Sequence, residues 1–160
     1  MKLLSKGFTL IELVVVIAII AVLSGVILFS VTQYINKGKD SNISGNLAVL
    51  IPAGEVYYNA ENSLNNDGYT GFCDSSVVTN AISQMPPNAS GACTSVDNAS
   101  GVCCNVDTGG QAWAACATEF GDSNYAYCVD SRGLKKEICS SQCLSEITVC
   151  PTILDSCSGS

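Results

Sequence analysis

Residues 10–29 form an apolar block interrupted only by Glu12, Ser24 and Gly25. Twenty helical residues at about 1.5 Å rise each span about 30 Å, the thickness of a bilayer's hydrocarbon core. Beyond the block, apolar residues keep helical spacing at Val31, Ile35, Ile43, Leu47 and Leu50, while Asn36, Lys37, Lys39, Asp40, Ser41 and Asn42 turn the intervening chain polar. That is the stripe of an amphipathic helix, so one long helix is predicted from near Phe8. Pro52 is expected to kink it or to begin a new turn, because proline lacks the donor for the helix ladder. A further helical stretch through Val56 and Ala60 should end by Asn65-Asn66-Asp67-Gly68, a polar turn; this tetrapeptide lacks the alternating oxygen ligands and distant glutamate of an EF-hand loop.

From Cys73 onward the chain is rich in Ser, Asn, Gly, Ala and Cys. Met85-Pro86-Pro87-Asn88 marks an irregular connection. Residues Ala112 to Thr118 and Tyr125 to Asp130 suit strands, with turns at Asp122-Ser123-Asn124 and Asp130-Ser131-Arg132-Gly133. Trp113, Tyr125 and Tyr127 are read as sheet core rather than as a recognition surface. Glu55 and Glu61 are read as a solvated helix face.

Charge changes the picture. Lys2, Lys6, Lys37 and Lys39 flank the apolar block, and Glu12 is the only acid before Asp40. Beyond Lys39 the bases are Arg132, Lys135 and Lys136, against thirteen acids. An acidic head argues against nucleic acid as a partner, since that grip needs clustered Lys and Arg; only a small local basic site around Arg132 to Lys136 is left. The basic start favours keeping Met1 to Lys6 in the cytoplasm, with the head translocated.

An ordinary secretory signal has a shorter apolar centre, of about 7–15 residues, ending at a small-x-small site. A plain single-span anchor accounts for the length but not for Glu12. An acid deep in lipid costs on the order of 2.5–3.5 kcal/mol and persists where it has a partner. No base lies within helical reach on the C-terminal side of Glu12, and Lys6 lies before the helix start.

Lys6-Gly7-Phe8-Thr9-Leu10-Ile11-Glu12, followed by an unbroken apolar run, resembles the prepilin processing motif of type IV pilins and their pseudopilin relatives. The resemblance implies cleavage between Gly7 and Phe8 by a membrane peptidase/methyltransferase and N-methylation of Phe8. It also implies an assembly role for Glu12, whose carboxylate would meet the free amine of a neighbouring subunit's Phe8. Many members carry a proline in the middle of the membrane segment where this chain has Phe29, and Gly25 is a candidate for loosening the helix instead. Tyr125-Ala126-Tyr127-Cys128-Val129-Asp130-Ser131-Arg132-Gly133 resembles the strand–turn segment of small pilin heads.

The resemblance therefore implies an α+β fold, with a long N-terminal transmembrane-then-amphipathic helix packed on a three- or four-stranded antiparallel sheet in a disulfide-rich head. The expected boundaries are a prepilin leader at 1–7, a transmembrane and assembly helix at 8–30, its amphipathic continuation at 31–64 and the globular head at 65–160. The expected role is a structural subunit of an extracellular filament; the alternatives are a type II secretion pseudopilin or a monomeric membrane-anchored binding module. Implied partners are other copies of the chain, the peptidase/methyltransferase, an inner-membrane assembly platform, and membrane lipid before assembly. The implied location is a single-pass inner membrane, then an extracellular filament.

Ten cysteines, Cys73, Cys93, Cys103, Cys104, Cys116, Cys128, Cys139, Cys143, Cys150 and Cys157, all follow residue 72. An even number confined to a small head behind an export-like segment reads as a disulfide framework of open connectivity. Paired zinc knuckles are not evident: only Cys139 and Cys143 come near the spacing, and adjacent Cys103 and Cys104 should pair with separate partners. The chain contains no histidine, which removes Ser-His-Asp and Cys-His catalysis and His-ligated zinc. No catalytic residue, metal site or cofactor is expected. Asn88-Ala89-Ser90 and Asn98-Ala99-Ser100 match the glycosylation sequon.

Overall fold

The computed structural model describes residues 7–64, 67–86, 101–152 and 157. Residues 1–6 of the expected leader, Asn65, Asn66, Cys93 and both sequons lie outside the described residues. The chain separates into two compact units, Met1–Ile35 and Asn36–Ser160.

Helix α1 covers Leu10–Leu64. In the first unit its apolar side chains are exposed all round, from Leu10 through Leu28, and the run is long and apolar enough to cross a membrane. Val31 and Ile35, expected on the head-facing stripe, are also exposed, whereas Ile43, Leu47 and Leu50 are fully buried. The correction has a simple cause: the head begins to pack on α1 at Asp40, whose Oδ1 accepts the Phe120 backbone N–H at 2.5 Å. The helix also runs through Pro52 without ending. The missing donor leaves the carbonyl of Ala48 without its helical partner, and burial of Leu47 and Leu50 on either side of this gap holds the segment helical.

After α1 a turn over 67–71 uses Gly68 at φ 61°, where a side chain would collide with the carbonyl oxygen of Gly110. Tyr69 N–H donates to that same oxygen at 2.7 Å, so the turn is seated on the head. A 3₁₀ turn at Phe72–Asp74 leads to α2, Ser76–Ser83. Ser75 caps α2, its side chain accepting from Val78 N–H.

Four strands follow: β1 Val102–Val106, β2 Trp113–Thr118, β3 Tyr125–Asp130 and β4 Lys135–Cys139. They form an antiparallel meander in the order β1-β2-β3-β4, the fold class expected, with β2 and β3 where the sequence placed strands. Strand alternation sorts the side chains into two layers. Trp113, Ala115, Ala117 and Val129 face Ile43, Leu47 and Leu50 of α1, while Ala114, Cys116, Ala126, Cys128 and Ile138 face a second cluster that includes Ile147 and Cys150. Both faces are covered, so every residue of β2 is buried.

Trp113 is fully buried, with ring centroids 4.7 Å from Phe72 and 6.4 Å from Tyr69. It sits against Gly54, whose missing side chain makes room: a Cβ there would lie 2.7 Å from the indole nitrogen. Tyr125 and Tyr127 are half-buried, and Tyr127 packs on the helix-side core. Glu55 is exposed as expected but accepts a hydrogen bond from the Tyr69 hydroxyl at 3.2 Å.

Disulfides close the head. Cys73–Cys104 ties the 3₁₀ turn to β1. Cys116–Cys143 and Cys128–Cys150 fasten the C-terminal segment over the outer face of the sheet, and Cys139–Cys157 ties the end of β4 to Cys157. Cys103 is also disulfide-bonded, so the neighbours Cys103 and Cys104 do have separate partners. Cys103, Cys116 and Cys128 lie side by side across β1, β2 and β3, yet Cys116 and Cys128 bond to the covering segment rather than to each other.

Candidate assembly site

The first described residues, Gly7 and Phe8, lie in the open. Phe8 is 83% exposed, and Gly7 has nothing within van der Waals reach of where a side chain would be. The helix starts immediately afterwards, with Leu13 N–H donating to the Thr9 carbonyl. Thr9 and Glu12 form a capping box. The Thr9 backbone N–H donates to Glu12 Oε2 at 2.8 Å, the Thr9 hydroxyl donates to the same oxygen at 2.6 Å, and Glu12 N–H approaches the hydroxyl oxygen at 3.4 Å.

The sequence pointed to the lack of a base near Glu12; the structure adds that hydrogen-bond donors at the start of its own helix already meet it. Its carboxylate satisfies the helix's first orphan donors and lies at the positive end of the helix dipole. The signal was available in the sequence as Thr-x-x-Glu directly before an apolar run. Glu12 stands one helical turn from Phe8, and both are exposed, leaving the carboxylate open to a further partner.

Three sulfurs in the head, of Cys103, Cys116 and Cys143, lie within 4.8 Å of one another. All three residues are oxidised in disulfides, and a metal ligand requires the thiolate. This cluster is structural.

Sequence reasoning missed a group of acids that four elements bring together: Asp40 from α1, Glu119 just after β2, Tyr127 on β3 and Glu137 on β4. Tyr127 and Glu137 are cross-strand partners. Asp40 accepts from the backbone N–H groups of Phe120 and Gly121, and the Lys39 ammonium lies 3.6 Å from the centre of the Phe120 ring. Glu119 Oε1 is buried without a hydrogen-bond partner among the described residues. Burial first, then the carboxylates of Glu137 and Asp40, push Glu119 from an ordinary 4.5 up to about 7. Burial, then Glu119 and Asp40, push the Tyr127 hydroxyl up to about 12.

The sign of the resulting pH dependence follows from linkage. A carboxyl group whose pKa is higher folded than unfolded holds its proton more tightly in the native state. Its stabilisation is complete below 4.5 and is lost as pH rises through about 7. The head's melting temperature should therefore fall between about pH 5 and about pH 8, and Glu119→Gln should flatten the slope. A melting temperature that rises over this range in the unmodified chain would contradict the assignment.

Residues 3–28 match the family model for the prokaryotic N-terminal methylation motif, the span that contains Gly7, Phe8, the capping box and most of the exposed apolar helix. The chain is 27% identical over 117 residues to the type IV wide pilus major component PilA4 of Thermus thermophilus, covering 73% of this chain and 85% of that protein. It is 51% identical over 43 residues to the type IV major alpha-pilin of Moraxella bovis, covering 27% of each. No solved structure matches. The chain thus carries the prepilin motif at its N-terminus, and these relatives are type IV pilins.

Proposed function

We propose that this chain is a structural subunit of a type IV pilus-like filament. In this reading a prepilin peptidase hydrolyses the Gly7–Phe8 amide, leaving a carboxylate on Gly7 and a free amine on Phe8 that is then N-methylated. The apolar helix holds the subunit in the inner membrane until the assembly platform draws it into a bundle with other copies. The observation that carries the proposal is the pairing of an apolar helical stretch exposed from Leu10 to Leu28 with a carboxylate fixed at its first turn beside Phe8.

The capping box alters how Glu12 would act. In the free subunit Thr9 holds the carboxylate in one rotamer, pointing at the helix start. When helices bundle, the cationic amine of a neighbour's Phe8 takes up remaining lone pairs of an acid that is already aligned. A buried ion pair is favourable only with good geometry and further hydrogen bonds, and Thr9 supplies those bonds. Misregistered copies would bury a charge without its partner, so the pair sets axial register. One relative is named a pilus component and the other a type IV pilin, which favours a pilus over a secretion piston.

Glu12→Ala is expected to be cleaved normally but to lower filament yield at least about tenfold, the effect of removing one partner from a buried pair. Thr9→Ala, which removes the capping hydroxyl and the γ-methyl but keeps the backbone N–H bond to Glu12, should cost about 1 kcal/mol of helix-end stability and leave filament yield within about threefold. Quantitative electron microscopy of both variants, with N-terminal mass spectrometry to confirm cleavage, checks this. Normal filament yield from Glu12→Ala would overturn the role given to Glu12.

A further inference from the structure

Three cysteine sulfurs on the outer face of the sheet belong to two different disulfides and stand nearly in contact. Cys103 on β1 and Cys116 on β2 are cross-strand partners, and both side chains lie in the outer layer. Cys143 follows the 3₁₀ turn Ser140–Gln142, outside any strand. Its Sγ is bonded to Cys116 and stands 3.7 Å from the Cys103 Sγ, and all three sulfurs lie within 4.8 Å of one another. Cys103 has its own disulfide in the finished head.

Burial decides which of the three an oxidant can reach. In the folded head Cys103 and Cys116 are buried, whereas Cys143 is half-buried and its neighbour Leu144 is exposed. On the sheet of a still-reduced chain, a small-molecule disulfide therefore meets Cys143 first. The Cys143 thiolate attacks it, one external thiolate leaves, and Cys143 is left in a mixed disulfide. Two thiolates on adjacent strands then compete to displace the second external thiolate. Cys103 and Cys116 are 40 and 27 residues from Cys143, a difference too small for loop-closure entropy to choose between them.

We propose that Cys103, Cys116 and Cys143 form an internal disulfide-exchange site, in which Cys116 recovers Cys143 from a transient Cys103–Cys143 bond. The Cys116 thiolate attacks the Cys143 Sγ, the Cys116–Cys143 bond forms, the Cys103–Cys143 bond breaks, and the electron pair leaves on the Cys103 sulfur. No electron is gained or lost overall, so the step consumes no oxidant. The three sulfurs must come into line during the transfer. Cys143 is the one that swings, because strand pairing fixes the other two. The released Cys103 thiolate then enters its own final bond, and a second molecule of the small disulfide takes up the two electrons. In the finished head the trio is structural; as the head oxidises, it turns a wrong closure into the right one. The site works within one chain and is independent of the filament reading.

The test refolds the full reduced chain in detergent with oxidised glutathione, quenches samples in acid, blocks free thiols and maps the bridges by mass spectrometry. Cys104 supplies the control: it lies one residue nearer Cys143 in sequence but faces the other side of the sheet, bonded to Cys73. In Cys104→Ser the β1 peptide should be found transiently joined to the Cys143 peptide. In Cys103→Ser that link should be at least about tenfold rarer, whereas a chain without its sheet would form both equally. The unmodified chain, desalted rapidly when the β1–Cys143 link is at its maximum, should go on converting it into Cys116–Cys143 with the total thiol count unchanged. Equal links in the two variants, a β1–Cys143 link that never forms in the unmodified chain, or one that persists after desalting would each overturn the proposal.

Discussion

Reduction of the disulfides in native buffer is expected to unfold the head while leaving α1 helical. The described bridges close intervals of 31, 27, 22 and 18 residues, and each such closure contributes about 3 kcal/mol by restricting the unfolded chain. Four of them together rival the ~5–15 kcal/mol that holds an ordinary domain folded. The head has little to set against their loss: its inner strands bury Ala114, Ala115, Ala117 and Ala126 where larger side chains would stabilise more, and the outer layer consists largely of the cystines themselves. In detergent, near-ultraviolet circular dichroism reporting on buried Trp113 should collapse and protease sites in the head should open. The far-ultraviolet helical signal should persist. A reduced and alkylated chain that keeps its Trp113 signal would refute this account of the head's stability.

Asp130→Ala should be the most damaging single substitution at a polar position, costing about 3–5 kcal/mol. The Asp130 side chain is wholly buried. One oxygen accepts the backbone N–H groups of Arg132 and Leu134, while the other accepts Cys150 N–H and the Arg132 guanidinium. Truncation leaves the β3–β4 turn and the C-terminal segment with donors aimed at nothing, and each unmet buried donor costs about 1–3 kcal/mol. Arg132 is half exposed and recovers its hydration, so the loss falls mainly on the backbone. Denaturant titration of the oxidised full chain in detergent checks this; a change under about 1 kcal/mol would show that the turn does not depend on this carboxylate.

The parts of this molecule that depend on local pattern were legible in its sequence. The apolar run set α1, and the strand-rich stretches with their turns set β2 and β3 to within a residue. β1 and β4 escaped because Val-Cys-Cys-Asn-Val is too short to show alternation and Lys-Lys-Glu-Ile-Cys carries the charge of an edge strand. Ser-Val-Val-Thr-Asn-Ala-Ile-Ser reads poorly as helix α2 because β-branched residues lose rotamer freedom there, and its Ser75 cap passed unread among the serines of that stretch. Val31 and Ile35 share the stripe of Ile43 and Leu47; periodicity gives a face but not the point at which a neighbouring layer begins to cover it. The Asp40–Glu119–Tyr127–Glu137 group depends on strand register and helix docking together, which no single segment encodes. At the candidate site, Gly7, Phe8 and Glu12 stand out through the resemblance of Lys6-Gly7-Phe8-Thr9-Leu10-Ile11-Glu12 to the prepilin motif. The Thr9 cap is legible in the same stretch as Thr-x-x-Glu before an apolar run.

Because every cysteine follows residue 72, no disulfide can join α1 to the sheet it carries. Between helix and sheet, load applied along a filament would pass through noncovalent contacts, among them Ile43, Leu47, Leu50, the Trp113–Gly54 contact and the hydrogen bonds of Asp40, Glu55 and Tyr57. Under tension the cystine-bound sheet would survive as a block, and the mechanical weak point would be the seam where it rests on its helix.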